Sequence, residues 1–167
     1  MTEKSIPVPS DPSAPSAEAV ERAAAAIVRA FAATDTAAYF AGFAADASFV
    51  FHPESHRLNS RAEYEETWNG WLADGWSVID CVSSDPLIQT FPGGAVFSHT
   101  VDTTVETGEG RESYRERESI VFRHLGDGDL IAIHEHLSPV PDTAATAPEP
   151  AGVAAETNTT TAEEVAP

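Results

Sequence analysis

The chain has 167 residues, of which 27 are Asp or Glu and 9 are Lys or Arg, giving a formal net charge of −18. A surface this acidic repels nucleic acids and anionic headgroups, because affinity for a polyphosphate rests on Lys and Arg displacing its counterions. A single cysteine, Cys81, excludes an intramolecular disulfide and any multi-cysteine metal site, and the length suits one domain with one core.

Composition divides the chain in three. Residues 1–16 hold four prolines and few large apolar side chains, which predicts a disordered arm. Residues 142–167 are rich in Ala, Thr, Glu and Pro, carry five acids and no base, and read as a disordered acidic tail. Residues 17–141 are the expected domain. The sequence opens on no basic and apolar leader, and no run approaches ~18 apolar residues. The expectation is a soluble, cytoplasmic protein with neither nucleic acid nor membrane as partner.

Ser16 can cap a first helix whose apolar positions Val20, Ala24, Ile27 and Phe31 follow a 3.6-residue period to about Ala33. Thr34 or Asp35 starts a short second helix carrying Tyr39, Phe40 and Phe43, and Ala47 to Phe51 reads as a strand. After a loop from His52 to Asn59, Ser60-Arg61-Ala62-Glu63 forms a capping box. Tyr64, Trp68, Trp71 and Leu72 then share one helical face until Gly75. Beyond Gly75 the period falls to two. Strands are expected over Trp76–Ser83 with a continuation to Phe91, then Ala95–Thr107, Arg111–Leu125 and Leu130–Leu137. Pro92-Gly93-Gly94, Gly108-Glu109-Gly110 and Gly126-Asp127-Gly128 are the turns between them. Helices followed by a meander of long strands predict an α+β fold in which a curved antiparallel sheet wraps the helices.

An Asp127-Gly128 turn pairs residues whose numbers sum to 255, so Ser119 faces His136, Val121 faces His134 and Arg123 faces Ala132. Opposed side chains share a sheet face, which gathers Arg115, Arg117, Ser119, His134 and His136, with Ile120, Phe122, Ile131, Ile133 and Leu137 opposite. A three-residue turn would slip the register by one and invert every side chain.

The closing strand Leu130-Ile-Ala-Ile-His134-Glu-His136-Leu-Ser138 and the preceding Arg117-Glu-Ser119-Ile-Val121 resemble two motifs of the nuclear transport factor 2-like superfamily, in its SnoaL-like and ketosteroid isomerase-like branch. The last strand is also similar to that of the calmodulin-dependent kinase II association domain. Leu130 stands where the pattern has Trp, and Ser119 where it has Thr. The resemblance covers about residues 17–140. It implies an α+β cone with a deep pocket between sheet and helices, and an oligomer, most simply a homodimer. The family includes isomerases, cyclases, dehydratases and non-catalytic modules, so fold alone does not give function.

Arginines and histidines at a pocket end suit an anionic or carbonyl-bearing small molecule, because guanidinium offers a planar fork and imidazole a donor near neutral pH. The expected ligand contacts are Arg117, Ser119, His134, Trp68, Tyr64 and His52. The alternative for Arg115 and Arg117 is pairing with acid at an oligomer surface. For isomerase, cyclase or lyase chemistry the site needs a base and an oxyanion donor. Asp102 or His99 is the candidate base; they have opposite parity on one strand, so only one faces inward. His136, Tyr64 or Tyr39 is the candidate donor. Asp102 and His136 are taken as the catalytic pair. The Tyr-plus-two-Asp arrangement of ketosteroid isomerases is not matched.

His134-x-His136 could chelate a metal, but spacing selects no third ligand among His52, His99, His124 and Asp102, so no metal is expected. Absence of a Gly-rich phosphate loop and of a Gly-x-Ser-x-Gly nucleophile speaks against nucleotide cofactors and acyl-enzyme chemistry. The expectation is thus a small-molecule-binding, cofactor-independent enzyme, with a non-catalytic ligand-binding or oligomerisation module as the alternative.

Overall fold

The computed structural model describes residues 13–141. The readings of residues 1–12 and of the tail 142–167 lie outside them. The last residues of the expected arm are nevertheless fixed. The Ser13 carbonyl accepts hydrogen bonds from Gly93 N and His124 Nδ1, and Pro15 is buried.

Ser16 Oγ accepts from Ala19 N at 3.1 Å and starts α1 (Ala17–Ala32), which buries Val20, Ala24 and Ile27 as the period requires. Thr34, at φ 51°, turns the chain, and Asp35 caps α2 (Thr36–Ala41). β1 (Phe43–Phe51) starts four residues before the expected Ala47. Ser60 Oγ accepts from Glu63 N and opens α3 (Arg61–Ala73); the Glu63 carboxylate reaches back to Asn59 N at 2.7 Å rather than to Ser60. β2 (Ser77–Phe91), β3 (Gly94–Thr107), β4 (Gly110–Gly126) and β5 (Asp129–Pro139) then meander.

The sheet order is β1-β5-β4-β3-β2, and every ladder is antiparallel except β1 with β5, which is parallel. This corrects the expectation of a wholly antiparallel sheet. Residue patterning within β1 carries no information about its partner. α3 crosses from the β1 edge of the sheet to the β2 edge, and β1 is thereby left beside the final strand.

The β4–β5 turn is the two-residue one, with Asp127 and Gly128 both at positive φ. Ser119 pairs with His136 and Val121 with His134, as the sum of 255 requires. Arg123, however, pairs with Ile131 rather than Ala132, because Ile133 bulges out on β5 and Leu125 on β4, shifting the register by one between them. The bulge moves Ala132 to the inner face beside Phe122 and puts Ile131 outside beside Arg123.

The core fills the concave side of the sheet. Trp68 is fully buried, stacks on Tyr39 with ring centroids 5.0 Å apart, and donates from Nε1 to Thr36 Oγ1 at 2.9 Å. Phe43, Phe49, Leu58, Ile120 and Phe122 complete the layer between α2, α3 and the sheet.

Candidate functional site

A cavity of about 480 Å³ opens beside this core. Its apolar wall comes from Ile27 and Phe31 of α1, Trp71 of α3, Trp76, Val101 and Val105 of β3, and Leu137 of β5. Its polar lining comes from Tyr39, Tyr64, Thr103, Glu116, Glu118 and Glu135, with His52, Glu54, Glu112 and Tyr114 towards solvent.

Strand alternation explains the carboxyls. On β4 the even positions Glu112, Tyr114, Glu116, Glu118, Ile120 and Phe122 point to the concave face, and on β5 Glu135 does so opposite Ile120. Glu118 and Glu135 are diagonal neighbours across the ladder, and their carboxyl groups hydrogen-bond. The Tyr39 hydroxyl donates to Glu135, 3.1 Å from Oε1 and 3.0 Å from Oε2, and lies 3.4 Å from the Tyr64 hydroxyl. On the other side, His99 Nε2 donates to Glu118 Oε2, and His99 Nδ1 contacts Ser83 Oγ at 2.7 Å. A continuous hydrogen-bonded chain therefore runs Tyr64, Tyr39, Glu135, Glu118, His99, Ser83.

Burial drives the carboxyl of Glu135 well above the carboxylate range, and the adjoining Glu118 raises it further. Burial acts on Glu118 in the same direction, but the hydrogen bonds from Glu135 and His99 and the field of His99 outweigh it and hold Glu118 low. Two carboxyls in contact share one proton, and here it resides on Glu135. Burial also keeps Tyr39 and Tyr64 protonated, as donors. Glu116 is raised by burial, against a 2.7 Å contact with His52 Nε2. The Cys81 thiol is pushed up to about 11 by burial, leaving it a poor nucleophile.

The Arg/His cluster forms as expected, but on the convex face, away from the cavity. Arg117 is exposed and donates to the Pro139 carbonyl at 3.3 Å. Ser119 Oγ meets Ser98 Oγ at 3.2 Å, and His134 Nδ1 meets Ser48 Oγ at 2.9 Å. His136 is exposed; partial burial and its neighbour His136 hold His134 below the usual histidine value. Asp102 pairs with Arg115 at 3.5 Å on the same outer face, so neither member of the expected Asp102–His136 pair reaches the cavity. Of the two candidate bases, parity turns His99 inward. Trp68 lies under the cavity floor rather than in its wall, whereas Tyr64 and His52 do line it.

Sequence reasoning passed over Glu116, Glu118 and Glu135. Alternating Arg and Glu from Arg111 to Glu118 has the pattern of a solvated strand, and only burial of its even face reveals otherwise. The signal present was that the parity placing Ile120 and Phe122 in the core also places Glu116 and Glu118 there. Among the described residues no three His, Cys, Asp or Glu side chains are arranged to hold a metal ion, and no helix is long and apolar enough to cross a membrane.

Solved structures with the same fold are numerous and distant in sequence. A nuclear transport factor 2 superfamily protein from Salmonella enterica is 14% identical with a TM-score of 0.64, over 77% of this chain and 93% of that one. A nuclear transport factor 2-like protein of unknown function in nutrient uptake from Rhodospirillum rubrum is 15% identical with a TM-score of 0.64, over 73% and 98%. The CaMKII hub of S. rosetta is 16% identical with a TM-score of 0.61, over 81% and 100%. No curated protein matches the sequence. The helix-filled cone that these structures share is also what the motifs on β4 and β5 imply, and with the SnoaL-like domain matching residues 20–143, the chain belongs to that family.

Proposed function

We propose that the protein is a cofactor-independent enzyme of isomerase, cyclase or lyase type, moving a proton on a small organic molecule held in the cavity. The observation that carries this reading is the Glu118–Glu135 pair, in contact and sharing one proton at the floor of a cavity with apolar walls. Such a pair can take a proton at one carboxyl while giving one from the other. Glu118 accepts the proton of an acidic C–H, Glu135 returns its own to the substrate, and the pair ends with one proton as it began. The Tyr64 hydroxyl stands beside it as donor to a developing oxyanion, while Tyr39, whose one O–H serves Glu135, positions that carboxyl. The apolar walls exclude water, which strengthens each of these interactions. The expected carbonyl-bearing ligand fits this floor; the expected anion does not, since the arginines lie on the other face.

The test is exchange of α-protons of cavity-sized ketones with deuterated water, followed by NMR. Wild-type protein is expected to accelerate exchange over buffer, and Glu118→Gln and Tyr39→Phe to lose about a hundredfold or more. Exchange no faster than in buffer across such ketones counts against the reading.

Self-association stands beside this as the second reading, as a homodimer or a larger hub. Val82 and Leu87, 49% and 57% exposed, lie on the convex face of the edge strand β2, which supports a surface that another copy covers.

A further inference from the structure

The carboxyls at the cavity floor satisfy one another, but those nearer the mouth do not. Glu116 is only 5% exposed and uses Oε1 for His52, while its Oε2 has no hydrogen-bond partner among the described residues. Glu112 on the same strand face and Glu54 in the following loop of β1 also line the cavity. Five lining residues are Glu and none is Lys or Arg. The arginines nearest in sequence, Arg115 and Arg117, alternate with these acids and so point out of the opposite face.

The walls add a second, independent preference. Phe31, Trp71 and Trp76 form a continuous aromatic surface, with centroids 6.1 Å apart for Phe31–Trp76 and 5.5 Å for Trp71–Trp76. Aromatic faces attract cations through their quadrupole, most strongly where water is excluded. Glu116 Oε2 opens into the cavity as a free acceptor, and a ligand N–H⁺ is the donor that meets it best, as a charge-assisted hydrogen bond. An anion would meet the same field with the opposite sign.

We infer that the ligand is an organic cation, an apolar body bearing a protonated amine, with its ammonium group on Glu116 Oε2 and its body against Phe31, Trp71 and Trp76. This rests on the cavity being the functional site, and it adds the substrate class. Glu116 and Glu118 are two residues apart on one strand face, about 7 Å. That spacing places the amine a few bonds from the carbon whose proton Glu118 takes, as in an amino ketone.

The test compares tryptamine, tryptophol and indole acetate, which share a ring system and differ in charge, by calorimetry and thermal shift at low and high salt. Tryptamine is expected to bind about tenfold tighter than tryptophol at low salt and indole acetate weakest, the contrast narrowing as salt rises. Glu116→Gln is expected to abolish the preference while tryptophol binding persists, which also shows that the variant is folded; Glu112→Gln, at an exposed position, reduces the preference partially. Tryptophol binding as well as tryptamine, or indole acetate binding best, overturns the inference and leaves the ketone-exchange test standing. Binding of none of the three overturns it together with the cavity reading. Tryptamine selectivity without ketone exchange removes only the catalytic reading and leaves a cation-binding module.

Discussion

A carboxyl group buried in an apolar wall keeps its proton unless something stabilises the charge, and Glu135 and Glu118 fall on opposite sides of that condition. Because the folded value of Glu135 is raised, its contribution to stability is complete below the ordinary value of 4.5 and is lost as pH rises through the folded value. Glu118, lowered, contributes above its ordinary value and loses that contribution as pH falls through the folded value. Stability against urea is therefore expected to peak between the two folded values and to decline on the alkaline side, by up to about 1.4 kcal/mol per pH unit for one proton. Glu135→Gln should flatten that alkaline limb, and an unchanged slope would mean the proton sits elsewhere. At the same scale, Arg117→Ala is expected to leave ligand-induced thermal shifts unaltered, because its guanidinium lies on the convex face. A lost shift would place the binding site outside the cavity.

At the scale of elements, the helices were legible because their signals are local. The Ser16 and Ser60 caps and the Tyr64-Trp68 spacing each involve residues within one or two turns, and all appear in place. Ser60→Ala is expected to cost about 1 kcal/mol in urea denaturation. Trp68→Ala, removing a fully buried ring, should cost about 3–5 kcal/mol and empty the floor beneath Tyr39. Whether Trp68 is wall or floor depended on α2 lying across it, and no pattern within α3 states that. The strands were legible in extent and, for β4 and β5, nearly in register. The bulges at Ile133 and Leu125 were not, since a bulge depends on how two strands pair and not on either strand alone.

For the whole molecule, the net charge of −18 opposes close association of copies, whereas Val82 and Leu87 favour it. Sedimentation at micromolar concentration is expected to show a dimer that strengthens with salt as repulsion is screened. A double Val82→Lys, Leu87→Lys variant should sediment as a monomer with an unchanged melting temperature at low concentration. A monomeric wild type at every salt concentration would count against self-association. The parallel β1–β5 ladder also belongs to this scale, because it pairs residues as far apart in sequence as Phe43 and Ala132.

By itself the sequence determined what depends on neighbours: helix starts and stops, strand parity, the two-residue turn, the family motifs, and the gathering of Arg117, Ser119, His134 and His136 on one face. Only the tertiary structure decided which face is the inside. A strand with Arg on one parity and Glu on the other is symmetric under inversion until the helices cover one side. Here they cover the face bearing Glu116 and Glu118, with His52 and His99 as the partners that let these two groups be buried. Four of the acids that the sequence offered without a role, Glu112, Glu116 and Glu118 on β4 and Glu135 on β5, line the cavity.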